Sequence, residues 1–187
     1  WKEHWAKRNV HNAYLSVDSP TREIDWHLVV GDCPTGEPLG LEQPFYTASI
    51  GKTFTAVAVG MLVDRQQVQF SDPIAKYLPA ATLAGLHVID GHDYASTITI
   101  AQLLQHQSGL PDYFDRETAD GSPSMFELIL TDTAHFWEPA ALIDYTKAHH
   151  RARFQPGTDY YYTDTEYVLL GMLVEQVSGL SLAEFMQ

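Results

Sequence analysis

The chain has 187 residues, one domain's worth, with 45% hydrophobic and 19% charged residues. That is a globular composition, which excludes a disordered tail, a collagen or a coiled coil. Its 24 acidic and 11 basic residues leave a formal net charge of −13, so neither nucleic acid nor an anionic membrane surface is an expected partner. No apolar run reaches the ~18 residues of a transmembrane helix. Cys33 is the single cysteine and cannot close an internal disulfide.

In chain order, Trp1 to Asn12 suits an N-terminal helix. Ala13 to Val17 reads as a strand, and Asp18, Ser19 and Pro20 supply turn chemistry. Asp25 to Val30 is the partner strand of a hairpin. Gly31 to Gly40 holds three glycines and two prolines and reads as loop. Phe54, Val57, Ala58, Met61 and Leu62 recur at helical spacing and predict one apolar face. Ser71, Asp72 and Pro73 open a short helical piece carrying Ile74, Tyr77 and Leu78. Ala80 to Ala95 is loop-like. Thr99 caps a helix with Ile100, Leu103 and Leu104, which Gly109 and Pro111 end. Asp112 to Pro123 is an acidic loop. Ser124 to Leu130 and Pro139 to His150 are predicted helices, and Pro156–Gly157 is a turn. Thr165 to Val177 is a strong helix with Tyr167, Leu170, Val174 and Val177 on one face and Gly179 at its end. Ser181 and Glu184 have capping-box spacing, yet the chain stops at Gln187. With Trp1 in place of a starting Met, this predicts a fragment.

The segment Phe45 to Ala56 carries the most chemistry. Gly51-Lys52-Thr53 matches the end of a phosphate-binding loop, but that motif needs a glycine where Tyr46 stands, and a bulky side chain blocks the backbone path. The other pattern is S-x-x-K, Ser49 and Lys52. A spacing of three puts both side chains on one helix face, so the amine can reach a hydroxyl that needs a base to become a nucleophile. The helix N-terminus favours developing negative charge and disfavours the ammonium form of Lys52. A capping serine beside an exposed lysine would give the same four letters. The nine histidines include no H-E-x-x-H pattern. No metal is expected at them, and His149 and His150 read as surface residues. Cys33 has no catalytic signature around it. Asp112, Asp115, Glu117 and Asp120 read as a solvated run without calcium-loop spacing.

Four ordered segments lift the S-x-x-K pattern above chance. Phe45–Ala56 resembles the nucleophile segment of the serine β-lactamase-like family, which includes class C β-lactamases, D-Ala-D-Ala carboxypeptidases and related esterases. Val68–Pro79, Ile98–Pro111, and Phe154–Gly157 with Tyr162-Thr163-Asp164 and Tyr167–Gly171 resemble its following segments in turn. The resemblance implies an α+β fold of the β-lactamase/DD-peptidase type: an antiparallel sheet with flanking helices and a helical region. Residues 1–44 would hold the N-terminal helix and hairpin, and 45–187 the nucleophile helix and helical region. It implies acyl transfer through a covalent ester on Ser49, with Lys52 as base and Tyr162 as proton shuttle. A tyrosine, pKa near ~10, needs a neighbouring cation for that work, and Lys52 would be it. Asp164 would be a positioning or substrate-binding residue. It stands where the family usually has Asn, and a carboxylate only accepts hydrogen bonds, so esters are expected over β-lactams. No cofactor is implied. The implied partner is a small-molecule ester, peptide or β-lactam, and the implied location periplasmic or secreted. After Asp164 neither Lys-[Ser/Thr]-Gly nor His-x-Gly follows, so by the family's pattern the domain is incomplete and a poor catalyst alone. The rival reading is a non-catalytic binder or penicillin sensor on the same scaffold.

Overall fold

A computed structural model describes residues 11–33 and 35–187. The helix expected from Trp1 lies outside the described residues as far as residue 10, and His11 and Asn12 have no regular structure. The chain divides into two compact units, Trp1–Thr47 and Ala48–Gln187.

In the first unit β1 (Ala13–Ser19) pairs antiparallel with β2 (Ile24–Val30), in register from Ala13↔Val30 to Ser19↔Ile24. The strands run further toward the turn than expected, because the reversal is made by Pro20–Arg22 and by Glu23 in the left-handed region. That frees Asp18 and Ser19 to pair with Asp25 and Ile24.

The second unit is mostly helical. Helix α1 (Gly51–Asp64) is followed by a short turn at Ile74–Lys76 and the four-residue α2 (Ala80–Leu83). Two-residue strands β3 (Val88–Ile89) and β4 (His92–Asp93) then form a small hairpin. This corrects the loop expected over Ala80 to Ala95. Asp90 and Gly91 both have positive φ, 50° and 79°, the conformation a tight hairpin turn requires and an Asp-Gly pair adopts readily. Strands of two residues are too short to show periodicity.

Helix α3 (Ile100–Leu104) starts at Thr99, whose hydroxyl accepts from Gln102 N while Gln102 accepts from Thr99 N. It stops well before Gly109, because the chain turns left-handed at His106, φ 58°. Helices α4 (Met125–Thr131), α5 (Pro139–His149), α6 (Asp164–Ser178) and α7 (Leu182–Phe185) complete the unit. Ser124 and Ser181 each form a full capping box, and Gly179 closes α6 left-handed with its N–H on Glu175 O.

Helix α6 is the centre of the unit, packed against α1, α3, α5 and α7. Its Leu169, Leu170, Leu173 and Val174 are buried with Leu62, Ile74, Ile100, Leu103 and Ile143 in one core. On α1 the buried residues are Thr55, Ala58, Val59 and Leu62. Of the face expected from sequence only Ala58 and Leu62 are inside; Phe54 and Val57 are more than half exposed, and Met61 38%. The helix is apolar on two sides, and periodicity alone does not choose which side faces this core.

Candidate active site

Ser49 lies in the single turn Ala48–Ile50 that leads into α1. Ala48 before it is held left-handed, φ 48°, a costly conformation for a residue with a Cβ and one that concentrates at functional sites. Ser49 does not cap the helix: the N-cap position is Ile50 and carries no side-chain cap. Its Oγ instead meets the Tyr162 hydroxyl at 2.9 Å and accepts from Lys52 Nζ at 3.4 Å.

Lys52 also forms an ion pair with Asp164, both side chains being about four-fifths buried. Its Nζ sits 4.9 Å above the Tyr162 ring and 5.8 Å from that of Tyr167. Burial alone would lower the pKa of Lys52. The Asp164 carboxylate and the Tyr162 hydroxyl outweigh it and hold the ammonium above the ordinary lysine value. The expected weakening of the ammonium by the helix start is therefore reversed: a paired carboxylate in direct contact dominates a fractional dipole charge.

Asp164 is the first residue of α6, where a carboxylate is favoured. Its N–H donates to Asp112 Oδ2 at 3.2 Å. Burial pushes the Asp112 carboxyl up, the Phe114 N–H opposes this, and the Asp164 charge adds to it.

The run Tyr160–Tyr162 sorts by partner. Tyr160 is 60% exposed. Tyr161 is an anchor: its N–H donates to His106 O at 3.0 Å, its hydroxyl to Asp115 at 2.5 Å, and the Arg153 guanidinium lies 3.7 Å over its ring. Burial and the Asp115 contact push its phenol up to about 12. Tyr162, next in sequence, turns the other way and reaches Ser49.

The structure thus brings Ser49, Lys52, Tyr162 and Asp164 together. Ser49, Lys52 and Asp164 line a cleft of about 580 Å³ whose walls include Tyr113, Phe114, Leu142 and Met172. Among the described residues, no cluster of three or more His, Cys, Asp or Glu could hold a metal ion. Among the described residues, no helix is long and apolar enough to cross a membrane.

Sequence reasoning missed the residues behind Tyr162. Glu166 is fully buried and meets His106 Nδ1, Ser108 N and Ser108 Oγ. A signal existed: Thr163-x-x-Glu166 has capping-box spacing, yet the carboxylate turns inward to these groups.

Comparison with known proteins agrees with the fold. Penicillin-binding protein 4* of Bacillus subtilis (strain 168) is 29% identical over 150 residues, covering 80% of this chain and 29% of that protein. A D-stereospecific amidohydrolase from Streptomyces sp. superposes with a TM-score of 0.70 at 29% identity, over 87% of this chain and 44% of that one. D-amino acid amidase from Ochrobactrum anthropi SV3, with L-phenylalanine bound, gives a TM-score of 0.76 at 22% identity over 98% and 45%, a likeness of fold. The chain thus spans less than half the length of these proteins. Their shared architecture is the β-lactamase/transpeptidase-like α+β fold. With the Beta-lactamase family model matching residues 2–187, the chain belongs to the beta-lactamase family.

Proposed function

We propose that this chain carries the nucleophile side of a serine acyl-transfer site. The observation that carries the reading is the convergence on Ser49 Oγ of the Tyr162 hydroxyl and of an ammonium group held by Asp164. Ser49 Oγ attacks the acyl carbonyl carbon. Tyr162 oxygen accepts the Ser49 proton while its own proton passes to the leaving group. The acyl group is then an ester on Ser49, which water hydrolyses. Lys52, kept protonated, stabilises negative charge on the two oxygens as the proton moves. The role of base thus passes from Lys52 to Tyr162. The Ser49 N–H donates to the developing oxyanion.

The substrate class that fits is an ester or amide without a carboxylate beside the reacting bond. Asp164 has no donor to offer a substrate carbonyl and repels an anion such as a penicillin. The relatives' names support amide or peptide substrates, one being a D-stereospecific amidohydrolase. The experiment is a rapid-mixing assay with a p-nitrophenyl ester. A burst of about one p-nitrophenol per chain is the expected outcome. Absence of any burst or turnover favours the binder reading instead.

Asp164→Asn tests the electrostatics. Asp164 raises the pKa of Lys52, so removing its charge lowers that pKa, and the ammonium that the reaction uses is lost at lower pH. The alkaline-going fall of kcat/KM is expected to move down by about one pH unit, and acylation by a penicillin, no longer repelled by the carboxylate, to speed up. An unchanged pH profile together with unchanged acylation would make Asp164 a bystander.

A further inference from the structure

The loop after α3 is tied to the start of α6 residue by residue. Thr163 Oγ1 donates to Pro111 O at 3.1 Å, Asp164 N to Asp112 Oδ2 at 3.2 Å, and Tyr113 N to Thr165 Oγ1 at 3.2 Å. Tyr113 is thereby fixed beside Asp164, and both line the cleft that Ser49 and Lys52 line. The Tyr113 ring packs on Phe114, centroids 4.6 Å apart. Its hydroxyl has no hydrogen-bond partner among the described residues, and unlike the Trp137 indole N–H it is not sealed from solvent. The two carboxylates nearby are already supplied: Asp112 by Phe114 N and Asp164 N, and Asp164 by Lys52.

Resting on the acyl-transfer reading of Ser49, we propose that the Tyr113 hydroxyl is the donor that binds a second, uncharged carbonyl on the acyl side of the substrate. Asp164 has no donor for that group, because its carboxylate only accepts. A phenol on the same cleft wall can donate, and nothing else among the described residues takes its proton. Burial, then the charges of Asp164 and Asp112, push the Tyr113 phenol up, so it keeps that proton wherever the site works. The same two charges repel an anionic acceptor, which narrows the bound group to a neutral one such as an amide carbonyl. The neighbouring walls, Phe114, Leu142 and Met172, are apolar, and a hydrogen bond made there competes with less water than one at an open surface.

The test compares two p-nitrophenyl esters, of N-acetylglycine and of pentanoic acid. Their acyl chains are equally long, and only the first carries the second carbonyl. Tyr113→Phe should lower the ratio of kcat/KM for the N-acetylglycine ester to that for the pentanoate about fivefold, the size of one neutral hydrogen bond. An unchanged ratio would overturn the proposal, since the ring alone would then account for the wall. In an Asp164→Asn background, whose amide brings a donor of its own, Y113F should lower the ratio less than about twofold. An undiminished loss there would mean that the hydroxyl does not stand in for the donor Asp164 lacks, and would also overturn it.

If the wild-type chain turns over neither ester, the acyl-transfer reading fails, and Tyr113 is judged by equilibrium binding of N-acetylglycinamide followed by proton NMR. Y113F is expected to bind it about fivefold more weakly; equal binding by the two chains, or none by either, would overturn the proposal. Thermal unfolding is the control. The substitution removes an oxygen without a partner in the fold, so Tm should stay the same. A Tm lowered by several degrees would show that the hydroxyl is bonded within the chain and not free for a substrate, which would count against the proposal.

Discussion

Replacing Tyr162 with Phe is expected to slow acylation of Ser49 by about 10²–10⁴-fold, the usual contribution of a positioned proton-transfer group. The substitution removes one oxygen. The ring that packs on His106 and lies under Lys52 remains, so the cation–ring and ring–ring contacts persist. The hydroxyl's hydrogen-bond partner is Ser49, so stability should change by no more than about 0.5 kcal/mol. Stopped-flow acylation by an activated ester, with thermal unfolding as the control, separates the two effects. An unaltered rate would show that the Ser49 proton leaves by another route, with Lys52 the remaining candidate.

Gly109→Ala is the substitution expected to damage the fold most. Gly109 has φ 77°, and a Cβ there would lie 2.0 Å from Phe154 O and 2.9 Å from His87 Nε2. The carbonyl cannot retreat freely, since Phe154 O accepts from buried His87 at 2.9 Å. Gly109 O in turn accepts from Arg153 N at 2.9 Å, which ties the Ser108 turn to the segment leading to Tyr162. Backbone strain and overpacking together are expected to cost about 3 kcal/mol, lowering Tm by about 6–12 °C. Gly85→Ala is the matched control. Gly85 has φ 79° but open space around its Cβ direction, so only the strain of about 1 kcal/mol should remain. Equal Tm losses in the two variants would show that the contact with Phe154 is relieved by local movement.

Much of this was legible in the sequence where the signal is local. Thr99, Ser124 and Ser181 start helices by their own side chains, and Gly179 ends one by its backbone freedom, so each is read from a few adjacent letters. The hairpin Ala13–Val30 and helix α6 follow from period and turn chemistry. The meeting of Ser49 and Lys52 follows from a spacing of three. Their meeting with Tyr162 and Asp164, more than a hundred residues on, rested on the family resemblance, because no local rule links α1 to the start of α6. Two things stayed hidden. The buried side of α1 depends on which elements pack on it, and Phe54 and Val57 are as apolar as the residues inside. The Glu166–His106 pair joins residues sixty apart, through a glutamate whose spacing from Thr163 suggests an ordinary cap.

The most direct test of the account is to find which atom becomes covalently bound. The chain is treated with a fluorophosphonate, digested, and the modified peptide sequenced by mass spectrometry. The account predicts one adduct per chain, on Ser49 and absent in Ser49→Ala. An adduct on any other residue, or no adduct at a probe concentration that labels a known serine hydrolase fully, would contradict it.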